Sequence, residues 1–229
     1  MVFRISALAI LMVGSVAAFG QSYFPNINTR SPWQTCSGCA GSEGVSHSVT
    51  FGVSSPSLDG KSAQFHIARG ASYSNALWWK QLGAQSGASH FTYDVYFYLK
   101  TPGVSQALEF DVNQSVGGHK YIFGTECDLG NGHVWRVYET SQSRWVSTGI
   151  SCPTPKAYTW NHLTLEFQRL NGQVHFVSET LNGTKSYFNR SYAPEGSGVQ
   201  ELNVAFQMDE NGSGTAYDTF LDKVKLTYW

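Results

Sequence analysis

Charge is scarce in this chain. Of 229 residues only 14% are Asp, Glu, Lys or Arg, and 15 basic against 16 acidic side chains leave a formal charge of −1. Without a clustered basic surface nothing can neutralise a phosphate backbone, which excludes nucleic acid as a partner. Runs of like charge are missing too, so acidic tails and polybasic membrane patches are excluded. Beyond the first twenty residues no apolar run is long enough to span a bilayer. The seven histidines include no H-x-x-x-H or H-x-H pair, which removes the usual frame of a catalytic zinc. No G-x-S-x-G elbow, phosphate loop or dinucleotide fingerprint occurs.

Aromatic residues and glycine are abundant instead: seven Trp, twelve Tyr, fourteen Phe and 23 Gly. The first twenty residues have the layout of a secretory signal. Arg4 precedes the short apolar stretch from Ile5 to Val13, and small residues at Val16, Ala18 and Gly20 offer cleavage sites. The expected product, residues 21–229, is a single exported domain with no membrane anchor. In an oxidising compartment the four cysteines are expected to form structural bridges, Cys36 with Cys39 and Cys127 with Cys152. A redox role for Cys36-Ser37-Gly38-Cys39 lacks the following helix that would lower a thiol pKa.

Residues 21–60 are rich in Ser, Gly, Asn and Pro and are expected to be irregular, with one strand near Val49 to Val53. Period-two alternation then dominates. Leu108, Phe110 and Val112 alternate with Ala107, Glu109 and Asp111; Leu163, Leu165 and Phe167 alternate with His162, Thr164 and Glu166. Turn signals divide the runs, among them Gly117-Gly118, Asn171-Gly172 and Asn182-Gly183. Ten to twelve strands are expected, with at most one helical turn at Asn75 to Leu82. Many short strands with regular turns predict an all-β, two-sheet antiparallel sandwich.

Alternation puts Glu109 and Asp111 on the outer face of one strand, where two acids one pleat apart raise each other's proton affinity. Here the sequence becomes specific. Glu109-Phe110-Asp111-Val112-Asn113-Gln114 resembles the E-x-D-x-x-E signature of laminarinase-type retaining glucanases, which have the concanavalin A-like jelly-roll fold. The resemblance implies Glu109 as nucleophile and Asp111 as the residue that orients it. The last acid of the signature falls on Gln114, with Asn113 at the alternative unbulged position, and an amide cannot exchange a proton with a leaving group. Retaining hydrolysis needs two carboxyls about 5 Å apart, so an acid from another strand is required, with Glu126, Glu139 and Glu201 as candidates. If Gln114 marks a lost acid, Gln114→Glu should create activity. At fold level, Trp160 to Glu166, Asn171 to Val174 and Leu181 to Gly183 resemble a hairpin of laminin-G-like and legume-lectin-like sandwiches. Phe220 to Leu226 is similar to the last strand of that superfamily.

Pyranose rings stack on Trp and Tyr while amides and acids take their hydroxyls. Of adjacent Trp78 and Trp79, one is expected in the core and one as a platform. Tyr96 and Tyr98, on a face with Asp94, are expected beside Glu109 and Asp111. His119, Tyr121, Trp135, Asn203 and Gln207 complete the candidate ligand set with Asn113 and Gln114. No cofactor is expected, apart from a structural calcium that the superfamily resemblance implies at Asp222. The leading expectation is a secreted, monomeric protein that binds a polysaccharide or oligosaccharide in a groove on its concave sheet. A retaining glycoside hydrolase, a polysaccharide lyase using His119, Tyr121, Gln207 and Asn113, and an adhesion protein without a sugar ligand are the alternatives.

Overall fold

The computed structural model describes residues 20–39 and 43–229, so the expected secretory signal lies almost wholly outside the described residues. In chain order the strands of the first half are β1 (Ser22–Phe24), β2 (Gln34–Ser37), β3 (His47–Val53), β4 (Ser62–Ile67), β5 (Ser72–Gln81), β6 (His90–Leu99), β7 (Ser105–Val116) and β8 (His119–Asp128). The second half adds β9 (Val134–Glu139), β10 (Arg144–Ser151), β11 (Thr159–Leu170), β12 (Gln173–Leu181), β13 (Thr184–Tyr192), β14 (Glu195–Gly196), β15 (Glu201–Asn211) and β16 (Tyr217–Tyr228). They build two antiparallel sheets. The back sheet runs β13-β12-β11-β6-β16-β4-β3, with β1 also on β16; the groove sheet runs β10-β9-β8-β7-β15-β5-β2, with β14 on β8.

Turn chemistry sets the registers. Asn171-Gly172 and Asn182-Gly183 both hold two consecutive positive φ angles, the geometry whose twist matches a two-residue hairpin, and they join β11–β12 and β12–β13. Gly117-Gly118 does the same between β7 and β8 and pairs Val116 with His119. Counting back from that turn, Asp111 faces Gly124 and Glu109 faces Glu126. A slip of one residue would turn every one of these side chains to the other face.

Between the sheets lies an aromatic core. Phe110 and Phe206 from the groove sheet meet at 5.2 Å between ring centroids, and Phe206 meets Phe65 of the back sheet at 5.1 Å. Trp78 is fully buried against Phe65. Each such side chain withdraws enough apolar surface for about 1.5–3 kcal/mol.

Two expectations about elements are corrected. The leading segment has the expected strand near Val49 to Val53 as β3, on β4, but it is less irregular than expected: it also supplies β1 and β2, which pair with β16 and β5. Asn75 to Leu82 is no helical turn: it belongs to β5, whose alternate side chains Trp78 and Ala76 are core while Leu77 and Trp79 face outward.

Candidate functional site

The outer face of the groove sheet carries the chemistry. β7 and β15 lie side by side at its centre, and their register sets Asn113 opposite Asn203, Asp111 opposite Ala205 and Glu109 opposite Gln207. β5 adds Gln81, Trp79 and Leu77 to the same three rows. Two adjoining cavities follow this face. One, of about 440 Å³, is lined by Trp79, Gln81, Asn113, Lys120, Glu201 and Asn203 among others. The second, of about 390 Å³, shares Leu77, Asn113, Lys120 and Cys39 with it and continues over Glu109, Asp111, Tyr138 and Trp145. Together they form one groove across the strands.

Gly124 explains how the aromatic wall comes so close to the acids. A Cβ there would stand 2.9 Å from the Cβ of Tyr138 and 3.4 Å from the Trp145 ring, with Asp111 Oδ1 at 3.6 Å. Its absence lets Tyr138 and Trp145, packed edge to face at 5.4 Å, close over Asp111.

Glu109 and Asp111 share a proton. Both are buried, and the Glu109 carboxyl is hydrogen-bonded to Asp111. Burial and the Asp111 charge push Glu109 well above the usual carboxylate range. Burial also raises Asp111, to about 6, but the hydrogen bond from Glu109 and one from the Thr125 amide, at 3.2 Å, hold it lower. The pair as a whole therefore holds a proton to higher pH than an ordinary carboxylate does. The second oxygen of Glu109, Oε2, has no hydrogen-bond partner among the described residues; neither do Gln207 Oε1 and Asn113 Oδ1.

Beside this pair lies a second acidic group. Glu126 stands across from Glu109 and pairs tightly with Arg136, whose guanidinium also reaches Asp128 at 3.2 Å. Asp209 joins them through Gln207, whose amide donates to its carboxylate at 2.9 Å. Burial pushes Glu126 up to about 8, against the opposing pull of Arg136, and Asp209 up to about 7. One cation thus serves three buried acids.

Of the residues expected in the groove, the structure brings together Glu109, Asp111, Asn113, Trp79, Asn203 and Gln207. Others lie elsewhere. Gln114 points into the core, fully buried, and donates its amide to the carbonyls of Gln85 and Ala88, both at 2.9 Å. The cause is that β7 pairs with β8 and β15 without a bulge around this position, so Asn113, not Gln114, takes the outward place. Tyr96 and Tyr98 sit on the back sheet, since β6 pairs with β11 and β16; Tyr96 stacks on His162 at 4.1 Å and Tyr98 packs on Trp160. Trp135 and Tyr121 face inward and are buried. His119 shares their inward parity and stands exposed at the end of β8, off both cavities.

Among the other candidate acids, Glu201 lines the far end of the groove and accepts from Gln81 at 2.7 Å, while Glu139 is taken by Arg144 at 2.8 Å. Tyr138, Trp145, Lys120 and Gly124 are groove residues that the sequence reasoning missed. The Gly117-Gly118 turn is the signal that locates Lys120 and Gly124, through the register it imposes on β8.

Cys127 and Cys152 are bridged as expected. Cys36 and Cys39 are not: they keep free thiols, hydrogen-bonded to each other at the groove edge. Gly38, at φ 72°, turns the chain between an extended Cys36 and an exposed Cys39. Partial desolvation at the groove edge and the Cys36 thiol push Cys39 up to about 12, the opposite of a reactive thiolate. At the calcium position the Asp222 carboxylate is spent on protein donors. Oδ2 accepts from Ser57 Oγ at 2.7 Å and from the Leu58 amide at 2.6 Å, and Oδ1 from the Lys223 amide at 2.8 Å. No group of three or more metal-ligating side chains gathers among the described residues.

No protein-family model and no curated protein sequence matches the chain. Solved structures do. The chain covers 89% of itself and 94% of an endo-β-1,4-glucuronan lyase from the fungus Trichoderma reesei, with TM-score 0.57 and 10% identity. Against the cellulose induced protein Cip1 the values are 85% and 90%, TM-score 0.53 and 11%. Against the carbohydrate recognition domain of Emp47p they are 90% and 94%, TM-score 0.50 and 10%. The chain spans 15% of the length of a sialidase chain that it also matches. At such identities the likeness defines the fold. This is an all-β, two-sheet antiparallel sandwich of the jelly-roll kind.

Proposed function

We propose that this is an exported polysaccharide-binding protein, with the glycan lying across the groove sheet. One observation carries the reading: Glu109 Oε2 and Asn113 Oδ1, in the groove lining, are buried acceptors without donors among the described residues, set between Trp79 on one side and Tyr138 and Trp145 on the other. A buried unsatisfied acceptor costs about 1–3 kcal/mol. A chain of sugar hydroxyls supplies the missing donors while its C–H faces pack on the rings. Support also comes from the fold, which a glucuronan lyase and a carbohydrate recognition domain share. The Cys127–Cys152 bridge supports an oxidising, extracellular setting.

The facing of Glu109 and Glu126 favours a second reading, a retaining glycoside hydrolase. Directly opposed residues of antiparallel strands carry their side chains on one face with Cβ atoms about 4.5–5.5 Å apart, which lets two carboxyls approach the separation of about 5 Å that such chemistry uses. Binding remains the better reading for two reasons. The high proton affinity of Glu109 suits an acid rather than a nucleophile. Glu126 is locked to Arg136 and lines neither cavity.

The test combines retention on β-glucans, xylan, chitin and alginate with assays for new reducing ends and for unsaturated products. Wild type, Trp79→Ala and Glu109→Gln are compared. The expected result is retention on a neutral glycan, weakened about tenfold or more by Trp79→Ala, with no Glu109-dependent release. Glu109-dependent reducing ends would establish the hydrolase, and unsaturated products a lyase. Absence of retention on any glycan would overturn the proposal.

A further inference from the structure

A second cavity, away from the groove, has the build of a ligand site. It measures about 410 Å³ and opens at the lateral edge of the sandwich, where β10 of one sheet faces β12 and β13 of the other. Ile150, Pro153 and Leu181 form its apolar walls, and Ser151, Thr184 and Ser186 bring hydroxyls. In this wall sits Glu179, only 3% exposed. β12 is bulged between Phe176 and Ser178, and the extra residue turns Glu179 toward the interior, beside Leu165 of β11.

Glu179 is poorly provided for. One side of its carboxyl takes hydrogen bonds from the Ser186 hydroxyl and the Leu181 amide. Oε2 has no partner among the described residues, and no Lys, Arg or His there forms an ion pair with it. Burial without a compensating cation pushes the group up to about 7. A buried acid with no counter-charge is a standing cost, and large buried carboxyls are rare without a partner. Several other buried acids have cations or donors beside them: Glu126 has Arg136, Glu139 has Arg144, Asp222 has three donors. Glu109 and Glu210 also keep oxygens unpartnered among the described residues, but neither lines this cavity.

We propose that the cavity binds a small organic cation, a primary ammonium on a short apolar chain, with Glu179 as its counter-ion. The ammonium offers three N–H donors and one positive charge. One donor meets Oε2 once the carboxyl turns about its last side-chain bond, a soft rotation, and the Ser151 and Thr184 hydroxyls lie around the others. The alkyl part packs on Ile150, Pro153 and Leu181. A hydroxyl in place of the ammonium brings a single donor and leaves the charge unpaired, so an alcohol of the same shape is a poor substitute.

The probes are n-butylammonium and n-butanol, titrated into the folded protein and followed by calorimetry and by NMR of the Glu179 carboxyl. Wild type is expected to bind the amine about ten- to a hundredfold more tightly than the alcohol, from the added strength of a charge-assisted bond. Glu179→Gln, which keeps the shape, is expected to erase that difference. Ser151→Trp, on the exposed rim, is expected to block the amine while leaving Glu179 and the fold intact, as read by thermal melting. Equal affinity for amine and alcohol, amine binding that survives Glu179→Gln, or no binding to a folded wild type would each overturn the proposal. Groove ligands are unaffected in every case, because the two sites share no residue.

Discussion

Asn113 and Gln114 are neighbouring amides with opposite fates, and the difference is one of parity. Asn113 donates to Asn203 Oδ1 at 3.0 Å on the groove floor, while Gln114 ties down the 85–88 segment from inside. Gln114→Glu therefore does not restore a groove acid. It replaces two donated hydrogen bonds with a carboxyl facing two carbonyl oxygens in a fully buried place. The expected outcome is a loss of about 1–3 kcal/mol or more in unfolding free energy, measured by urea denaturation, with no hydrolytic activity gained. Stability equal to wild type, or new reducing ends on a glucan, would contradict this placement. The same parity makes Asn113, despite its Asn-Gln-Ser glycosylation pattern, a half-buried residue of the groove floor, hydrogen-bonded to Asn203.

At the scale of elements, β9 deserves its place in the sheet for one residue. Arg136 pairs with Glu126 and Asp128 and lies 5.8 Å from the centre of the Tyr73 ring, so it holds the acidic group closed. Arg136→Met keeps most of the apolar stem and removes the charge. It is expected to cost about 1–3 kcal/mol, the usual result of leaving buried acceptors without their donor, and Glu126→Gln added to it should recover part of the loss. A double-mutant cycle by chemical denaturation measures both; additivity would show that the two side chains do not act on each other.

Much at this scale was legible beforehand. The alternation around Glu109 and Asp111 reads the face correctly because apolar residues flank them on both sides. Trp79 was identified as one of a pair of which only one can be core. What periodicity cannot tell is which sheet a strand joins. Tyr96 and Tyr98 share a face with Asp94, but β6 pairs with β11 and β16, so that face looks away from the groove. Pairing over such distances is decided by tertiary contacts, and the neighbour of Glu109 became visible only through the register of the Gly117-Gly118 hairpin.

For the whole molecule the buried acids make a statement about pH. Asp111, Asp209 and Glu126 are raised to about 6, 7 and 8, Glu179 to about 7, and Glu109 well above its ordinary range. In the unfolded chain these groups ionise near pH 4. Between pH 4 and 8 the native state therefore holds more protons than the unfolded state, and stability falls as pH rises through that window. The contribution is fully present below about pH 4, and for Asp111, Asp209, Glu179 and Glu126 it is spent above about pH 8. Most proteins whose carboxylates are paired in the native state behave in the opposite way. A loss of 1 kcal/mol moves the melting temperature by about 2–4 °C at this chain length. Thermal melts should thus fall by several degrees from pH 5 to pH 8, and Asp209→Asn, which removes one of the raised groups, should flatten the slope. A melting temperature that is level or rises across the window would mean that the acids are compensated in a way their surroundings do not provide.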